Sequence, residues 1–397
     1  MSPFSPKTKR EHRVVVGRTR GEELDLLRVE RRDGQHRLLA AATIPWESGA
    51  ALGEPLERLL GWHAHEPLVL AVPTPALAGG SVTIGRALPG TGRTALDLRE
   101  LTLQAHWHAR EQLREEAAEF FGCPLEDLAV FREEVRPWQE ARGGDGLEAT
   151  VTTLFQGPTA FGESLLVPPT PARFQSLPPP DVPVCDLVLL PVFLGEIFQK
   201  TSEPIGLLVS EESHLTFVVR DGDILRMLRT APLGSDLLVG TLVRALSCSP
   251  REAATLLERA DASVLSPEGV RILVRVFRPL FPLFRTIVRL FFAHLPDSEW
   301  PVRLVVAGFW PTLLHRLFFH RNPTLYLSRA PRIVQLLPRP VMTPVDPSRL
   351  IAARIPATIF ALLEQLADIA LRRLEHAPAA SAVYQPIQER QLRWHAK

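Results

Sequence analysis

The sequence lacks most of the features that place a chain in a well-known class at once. Its three cysteines, Cys123, Cys185 and Cys248, are far apart and form no CxxC pair, which argues against a disulfide framework or a zinc site. It contains no run of about 18 apolar residues, and no apolar stretch follows the basic residues at its N-terminus. We therefore expect a cytoplasmic protein that is neither secreted nor membrane-spanning.

An excess of charge of one sign is also lacking. Lys and Arg number 45 against 44 for Asp and Glu, and a net charge of +1 gives no overall field that would recruit nucleic acid. The glycine-rich signatures of P-loop enzymes, dinucleotide-binding folds and serine hydrolases are absent. The HxH pairs His63/His65 and His106/His108 have no third ligand nearby in sequence, so we expect ordinary histidines and no metal.

What is present is a strand-then-helix plan that occurs twice. Residues 13–17, 24–30 and 36–44 predict an antiparallel meander, followed by a helix at 55–62 and a strand at 68–73. Residues 81–157 predict a βαββ unit, with strands at 81–87, 125–135 and 147–155 and a helix at 95–121 that Gly122 ends. Eight prolines between Pro158 and Pro183 then mark an irregular connection.

The second half repeats the plan with more helices. We predict strands at 185–190, 205–210, 215–220, 223–230 and 302–307, and short strands near Thr324 and Ile333. Helices are predicted at 193–200, 235–246, 249–258, 311–320 and 356–374. Ser249 and Pro250 supply the start signal of the third of these helices.

Three segments of the second half carry a family resemblance: residues 217–224 (FVVRDGDI), 230–236 (TAPLGSD) and 249–254 (SPREAA). They resemble the second half of FtsA and PilM proteins, in which a phosphate-binding hairpin is followed by a small-residue entry into a helix. The resemblance implies an α/β, actin-like (ribonuclease-H-like) two-lobed fold with a small inserted βαββ domain. It implies the following division: 1–80, first lobe; 81–157, the insertion within that lobe; 158–183, Pro-rich connection; 184–348, second lobe; 349–375, closing helix of the first lobe; 376–397, polar tail.

The resemblance also implies an ATP and Mg²⁺ site, which the residues at its positions contradict. Such sites need small residues in two turns, because backbone N–H groups approach the phosphates directly. At the first turn stand Gly17, Arg18, Thr19 and Arg20, without the aspartate that the family has at the strand end. The two arginines are able to attract phosphate, so this turn leaves the question open.

The later turns depart further from the family. The aspartate of the second turn falls on Leu208, and its glycine run is replaced by Ser210, Glu211 and Glu212. Gly234 keeps the small-residue entry into the following helix. The adenosine loop, a glycine triplet in the family, reads Gly308, Phe309 and Trp310. We therefore expect no bound cofactor and a degenerate nucleotide site.

A basic stripe is the other candidate surface. Arg271, Arg275, Arg278, Arg285 and Arg289 recur at helical spacing opposite apolar residues, with no acid to balance them. This pattern fits a surface for an acidic partner or anionic lipid, and it fits equally a solvated helix face over a core, interrupted by Pro279 and Pro282. Residues 385–394 are a poor match for the membrane-binding helix that ends FtsA proteins.

The sequence therefore predicts an FtsA-like scaffold of bacterial cell division that acts through self-association or an FtsZ-like protein, with a possible peripheral contact at the inner face of the membrane. One alternative is a PilM-like platform of a type IV pilus or secretion system. Another is a slow ATPase that binds nucleotide through Arg18, Thr19 and Arg20.

Overall fold

The computed structural model describes most of the chain and divides it into two units. The described residues are 12–20, 22–47, 49–87, 95–140, 146–158, 179–183, 185–198, 201, 203–293, 295, 300–316, 333–336, 342–344 and 355–376. The first unit comprises Met1–Val72, Gln175–Val188 and Arg339–Lys397, and the second comprises Pro73–Phe174 and Leu189–Pro338.

The elements are numbered in chain order. The strands are β1 His12–Arg20, β2 Glu23–Arg32, β3 Gln35–Pro45, β4 Leu68–Val72, β5 Leu77–Ala87, β6 Ala129–Glu140, β7 Gly146–Gln156, β8 Cys185–Leu189, β9 Ile205–Ser210, β10 Leu215–Asp221, β11 Ile224–Ala231, β12 Arg303–Gly308, β13 Ile333–Leu336 and β14 Met342–Pro344. The helices are α1 Gly53–Leu60, α2 Ala95–Phe121, α3 Leu190–Gly195, α4 Ser235–Leu246, α5 Pro250–Asp261, α6 Pro267–Phe277, α7 Phe281–Phe292, α8 Pro311–Leu314 and α9 Ala357–His376.

The first unit is built on one sheet with the strand order β14-β3-β2-β1-β4-β8. Strands β1, β2 and β3 are antiparallel, whereas β4 lies parallel to β1. Helix α9 packs against β1 and β2, and α1 packs against β3. The consecutive residues Val14, Val15 and Val16 are all buried, as expected for a strand that is covered on both faces.

The second unit repeats this plan. Strands β9, β10 and β11 are antiparallel, β12 lies parallel to β9, and β13 lies parallel to β12. In each unit a three-stranded meander is therefore extended past its first strand by two further strands, which is the ribonuclease-H-like order 3-2-1-4-5. The α/β, actin-like fold expected from the sequence is confirmed.

The βαββ insertion forms part of the second unit's sheet. Strand β5 pairs with β11 on one side and with β7 on the other, which gives the order β13-β12-β9-β10-β11-β5-β7-β6. Gly79 and Gly80 permit this double pairing, because a Cβ at Gly80 would lie 2.1 Å from the carbonyl oxygen of Arg226. The expectation that the insertion belongs to the first lobe is corrected by this pairing.

Two strands from the stretch that was assigned to the second lobe belong to the first sheet: β8, which the sequence predicted, and β14, which it did not. Strand β8 follows β4 at one edge, and β14 pairs in parallel with β3 at the other, although both lie within 184–348. Edge strands that are added from distant parts of the chain leave no local sequence signal, which explains the error. The helix expected at 193–200 is also shorter and earlier: α3 ends at Gly195, and a 3₁₀ turn follows at Glu196–Phe198.

Some expectations lie outside the described residues. They include most of the Pro-rich connection, the strand near Thr324, the end of the helix expected at 311–320, and the tail from residue 377 onward. Among the helices of the described part, none is both long enough and apolar enough to span a bilayer.

Candidate functional site

The first predicted turn lies at the end of β1, within the sheet of the first unit. Gly17 faces Leu26 on β2, and a Cβ at Gly17 would approach the side chains of Leu26 and Leu70 to 2.7 Å. A larger residue at this position would therefore require leucine side chains of the sheet to shift. Arg18 and Thr19 follow it and are also buried, with Arg18 only 2% exposed.

Arg20 is held by carboxylates of its own hairpin. Its Nε lies 2.9 Å from Asp25 Oδ2, and one terminal nitrogen lies 2.6 Å from Glu23 Oε2. Asp25 is fully buried and also accepts a hydrogen bond of 2.7 Å from Thr43 Oγ1. Arg18 and Arg20 are the two arginines that the sequence offered for phosphate binding. Of these, Arg20 forms ion pairs with Asp25 and Glu23. Asp25 was not predicted from the sequence, because its only signal is an acid within the apolar run of β2.

The second predicted turn joins β9 to β10 in the second unit. Leu208 pairs with Phe217 on β10 and with Val306 on β12, and its side chain is buried in the sheet. Ser210 pairs with Leu215, so residues 211–214 form the turn, closed by a hydrogen bond of 2.8 Å from Glu211 N–H to His214 O. An apolar side chain therefore occupies the position at which the resemblance implies an aspartate.

Glu211 points its carboxylate into the unit. The residue is 2% exposed, and its Oε1 accepts a hydrogen bond of 3.3 Å from the backbone N–H of Thr74, which is itself buried. A buried carboxylate requires hydrogen-bond donors, and this backbone amide is one of them. The turn thus places a carboxyl group in the interior of the unit, where the resemblance implies bare glycine backbone.

The start of α4 closes onto the same turn. Ser235 N–H donates to Glu211 O at 2.8 Å, Asp236 N–H to Glu212 O at 2.9 Å, and Gly234 N–H to Ser213 O at 3.2 Å. The first N–H groups of a helix have no partner within the helix and commonly bind anions. Here three N–H groups at the start of α4 bind carbonyl oxygens of the chain itself.

The third predicted element also joins this cluster. Phe309 N–H donates to Ser210 O at 2.9 Å, and Gly308 has a positive φ of 94°. Phe309 and Trp310 are buried with their ring centroids 5.8 Å apart, and Trp310 is 4% exposed. Asp261 Oδ1 anchors the following turn by accepting from Leu313 N–H at 2.9 Å. The aromatic pair is therefore part of the packed interior of the second unit.

The structure thus brings together one part of the predicted site. Backbone hydrogen bonds join the turn at Ser210, Glu211 and Glu212 to Gly234 on one side and to the loop from Gly308 to Trp310 on the other. We call this group the 211 cluster. Leu208 lies two residues before it in β9, and Gly17 to Arg20 lie in the first unit.

Titratable groups at the 211 cluster are shifted by burial. Burial lowers the pKa of His214 to about 4 and raises the pKa of Asp236 above its usual value. Ser213 Oγ lies 2.7 Å from His214 Nδ1. Neither His214 nor Thr74 was predicted from the sequence, because no pattern in the sequence shows that either contacts this turn.

The five arginines of the basic stripe are all exposed, on α6, on α7 and on the 3₁₀ turn Arg278–Leu280 between them. The opposite faces of the two helices bury apolar side chains that include Phe277 and Phe291. The expectation that no acid balances the stripe is corrected at one position, because Arg271 lies 3.3 Å from Glu268 on the same helix.

The HxH pairs do not form a metal site in the described part of the chain. His63 and His65 stack with ring centroids 5.8 Å apart, and His106 Nε2 lies 2.5 Å from Glu133 Oε1. No group of three or more His, Cys, Asp or Glu side chains among the described residues is arranged to hold a metal ion.

Two ribonuclease-H-like units in one chain, the second extended by a βαββ insertion, define the actin-like fold. Comparison with models of protein families finds no match, and comparison with curated proteins finds none.

Solved structures of similar fold exist at low sequence identity. A PilM-PilN type IV pilus biogenesis complex aligns with a TM-score of 0.46 and 16% identity, over 90% of this chain and 98% of that one. The ethanolamine utilization protein EutJ from Carboxydothermus hydrogenoformans aligns with a TM-score of 0.39 and 13% identity, over 92% and 91%. The apo psk41 ParM protein aligns with a TM-score of 0.35 and 9% identity, over 91% and 99%. At these values the likeness concerns the fold alone.

Proposed function

We propose that this chain is an actin-fold, FtsA-like scaffold of bacterial cell division that has lost ATP binding and acts through self-association and protein partners. The observation that carries the proposal is the closure of the 211 cluster. The N–H groups at the start of α4, which are suited to bind phosphate, are bonded to backbone carbonyls of residues 211–213.

The carboxylates of the turn also oppose nucleotide binding, in addition to its hydrogen-bonded backbone. Glu211 and Glu212 occupy positions at which the family resemblance implies glycine beside a triphosphate. Two unit charges about 4 Å apart repel by about 1 kcal/mol in water and by about 4 kcal/mol at a surface-like dielectric. Two carboxylates at such distances would offset much of a nucleotide's binding free energy.

Arg20 in the first unit is bound to Asp25 and Glu23 of its own hairpin. This observation weighs against the slow ATPase that uses Arg18, Thr19 and Arg20. Arg18 and Thr19 are both buried, so a nucleotide contact there would require these side chains to become accessible.

Equilibrium titration with a fluorescent ATP analogue and Mg²⁺ tests the loss of nucleotide binding. We expect no saturable binding up to about 1 mM, where a binding free energy of only about 4 kcal/mol would already be detected. The Arg18→Ala variant is compared with Arg13→Ala, a control on the same strand whose side chain is 37% exposed. Micromolar affinity that Arg18→Ala abolishes and Arg13→Ala preserves, with both variants folded by circular dichroism, would contradict the proposal.

For the division role, we propose an FtsZ-like protein as partner. Interferometry with a purified FtsZ-like protein of the same organism tests it, and saturable binding is expected. A PilM-like platform predicts binding to an inner-membrane pilus component instead, and that component serves as the second arm of the experiment. Binding to the pilus component alone would replace the division role by the pilus role.

The basic stripe is proposed as the partner or lipid surface of this scaffold. Its support is the exposure of all five arginines beside a single acid, Glu268, on α6 and α7. We expect the double reversal Arg271→Glu and Arg275→Glu to weaken partner or liposome binding without changing the melting temperature. The control Arg251→Glu and Arg259→Glu makes the same charge change on the exposed face of α5. Unaltered co-sedimentation of the stripe variant would show a merely solvated face.

A further inference from the structure

Strand β6 is the last strand of the second unit's sheet. Among the strands that the structure describes, it pairs with β7 alone, so its outer edge presents a row of backbone N–H and C=O groups. Such an edge is a template for pairing with another strand, and proteins usually shorten or cover it. At twelve residues, Ala129–Glu140, this edge strand is long.

The same part of the fold carries much of the chain's exposed apolar surface. Of the eleven large apolar side chains most exposed among the described residues, five lie in the βαββ insertion, which makes it a candidate for docking. They are Leu103 and Trp107, one turn apart on α2, and Val130, Phe131 and Val135 on β6. Contact of His106 with Glu133 ties α2 to β6 at this point.

The sequence of β6 is complementary to itself in one antiparallel register. When two copies are paired about Glu133, Arg132 of each copy lies opposite Glu134 of the other, and Phe131 lies opposite Val135. Glu133 lies opposite its own copy at the axis, a like-charge pair that opposes the pairing, and its carboxylate contacts His106 Nε2 of its own chain at 2.5 Å. Opposite charges and apolar pairs that face each other across antiparallel strands both stabilise the pairing. We propose that β6 pairs antiparallel with β6 of a second copy of this chain, with the two-fold axis at Glu133.

The local structure of β6 supports this register. Its pairing with β7 is regular from Arg132 to Arg136, with irregularities on either side. Arg132 and Glu134 lie 3.3 Å apart in one chain, so two copies place four charges of alternating sign together. Pro137 has no N–H group to donate to a neighbouring strand, and it follows directly after this regular stretch.

The resulting assembly differs from a filament. A contact between identical surfaces closes at a dimer, whereas head-to-tail contacts continue into rings or polymers. The inference rests on the proposed scaffold function for its biological purpose, because it gives self-association a surface. Its test is independent, since oligomeric state is measured without nucleotide or partner.

Sedimentation equilibrium over a range of protein concentrations tests the proposal with charge reversals. We expect the wild-type chain to dimerise reversibly, and Glu134→Lys and Arg132→Glu each to weaken the dimer about tenfold or more, because each creates two like-charge pairs. The double variant Arg132→Glu and Glu134→Arg restores opposite charges and is expected to return the dimer to within a few fold. Glu115→Lys, an exposed position on α2, controls for the charge change alone.

Two results would overturn the proposal. A wild-type chain that is monomeric at every concentration would mean that Arg132, Glu133 and Glu134 protect the edge against pairing. A dimer that survives both single reversals, or that the exchanged pair does not restore, would place the interface elsewhere. Either result leaves the nucleotide test unaffected, whereas a dimer that binds ATP would refute only the loss of the nucleotide site.

Discussion

Replacing Gly234 by alanine should distort the 211 cluster. A Cβ at this position would lie 2.1 Å from Glu212 O and 2.4 Å from two carbonyl carbons of the turn. The backbone φ of −79° is ordinary for any residue, so the cost is steric. Overpacking of a well-packed site costs about 1–3 kcal/mol, and occasionally more. We place Gly234→Ala at or above the upper end, because all three contacts are with backbone.

Helix α4 contains its own control. Gly240 lies within the same helix, and a Cβ there would meet no atom within 4 Å. Alanine in the middle of a helix is more favourable than glycine by about 0.5–1 kcal/mol. The two identical substitutions, six residues apart, should therefore change stability in opposite directions.

Urea unfolding with far-ultraviolet circular dichroism measures both variants. Gly234→Ala should lower the midpoint and Gly240→Ala should raise it, each with an unchanged denaturant slope. A Gly234→Ala variant with an unchanged free energy of unfolding would mean that the turn at residues 211–213 does not lie against the start of α4. That result would also contradict the proposal that this turn is closed to phosphate.

Three further predictions concern stability. Arg28 and Glu66 form a buried pair with N–O distances of 2.6 and 2.9 Å, so Arg28→Met should cost about 3–5 kcal/mol by leaving a buried carboxylate unpaired. Ser266 caps α6 by accepting from Gly269 N–H at 3.1 Å, and Ser266→Ala should cost about 1 kcal/mol. The pKa of His214 is lowered to about 4, so the folded chain keeps this histidine neutral at a pH where the unfolded chain binds a proton. The free energy of unfolding should therefore fall as the pH drops from about 6.5 towards 4. The fall should be smaller in His214→Gln.

Chemical denaturation checks all three. Arg271→Ala, which removes the exposed pair with Glu268, is the control for Arg28→Met and should change stability little. If Arg28→Met and Arg271→Ala lowered the free energy of unfolding equally, burial of the Arg28–Glu66 pair would not explain its effect. A Ser266→Ala variant as stable as the wild type would show that the cap is replaced by water. Parallel pH profiles for wild type and His214→Gln would assign the acid lability to other groups.

The sequence predicted the local elements well and the distant pairings poorly. Meander strands and helix starts such as Ser249 and Pro250 carry signals within a few residues, and the structure contains them. Strand β8 was assigned to the wrong lobe and β14 was not predicted, because a strand at a sheet edge is positioned by residues more than a hundred positions away. The pairing of β5 with β11 was missed for the same reason.

At the candidate site, the sequence predicted which residues belong together but not their side-chain contacts. The family resemblance assigned Ser210, Glu211, Glu212 and Gly234 to one degenerate nucleotide site, and backbone hydrogen bonds join their turns in the structure. It did not show that Glu211 turns inward to the amide of Thr74, or that Arg20 is held by Asp25 and Glu23. Side-chain direction at the end of a strand depends on packing that no pattern encodes.

The first unit's sheet, assembled from three separate stretches of chain, has a consequence for how the protein is made. Asp181 accepts from Leu52 N–H at 2.8 Å and from Gly53 N–H, so α1 is capped by a residue 129 positions later. Arg31 contacts Glu375 across 344 residues. During synthesis the first stretch of the first unit cannot complete its packing until nearly the whole chain has been made. Most of the second unit emerges as an almost continuous segment, so it is able to fold earlier. A ribosome-bound chain that lacks α9 should therefore protect β9–β12 from protease while β1–β3 remain cleavable.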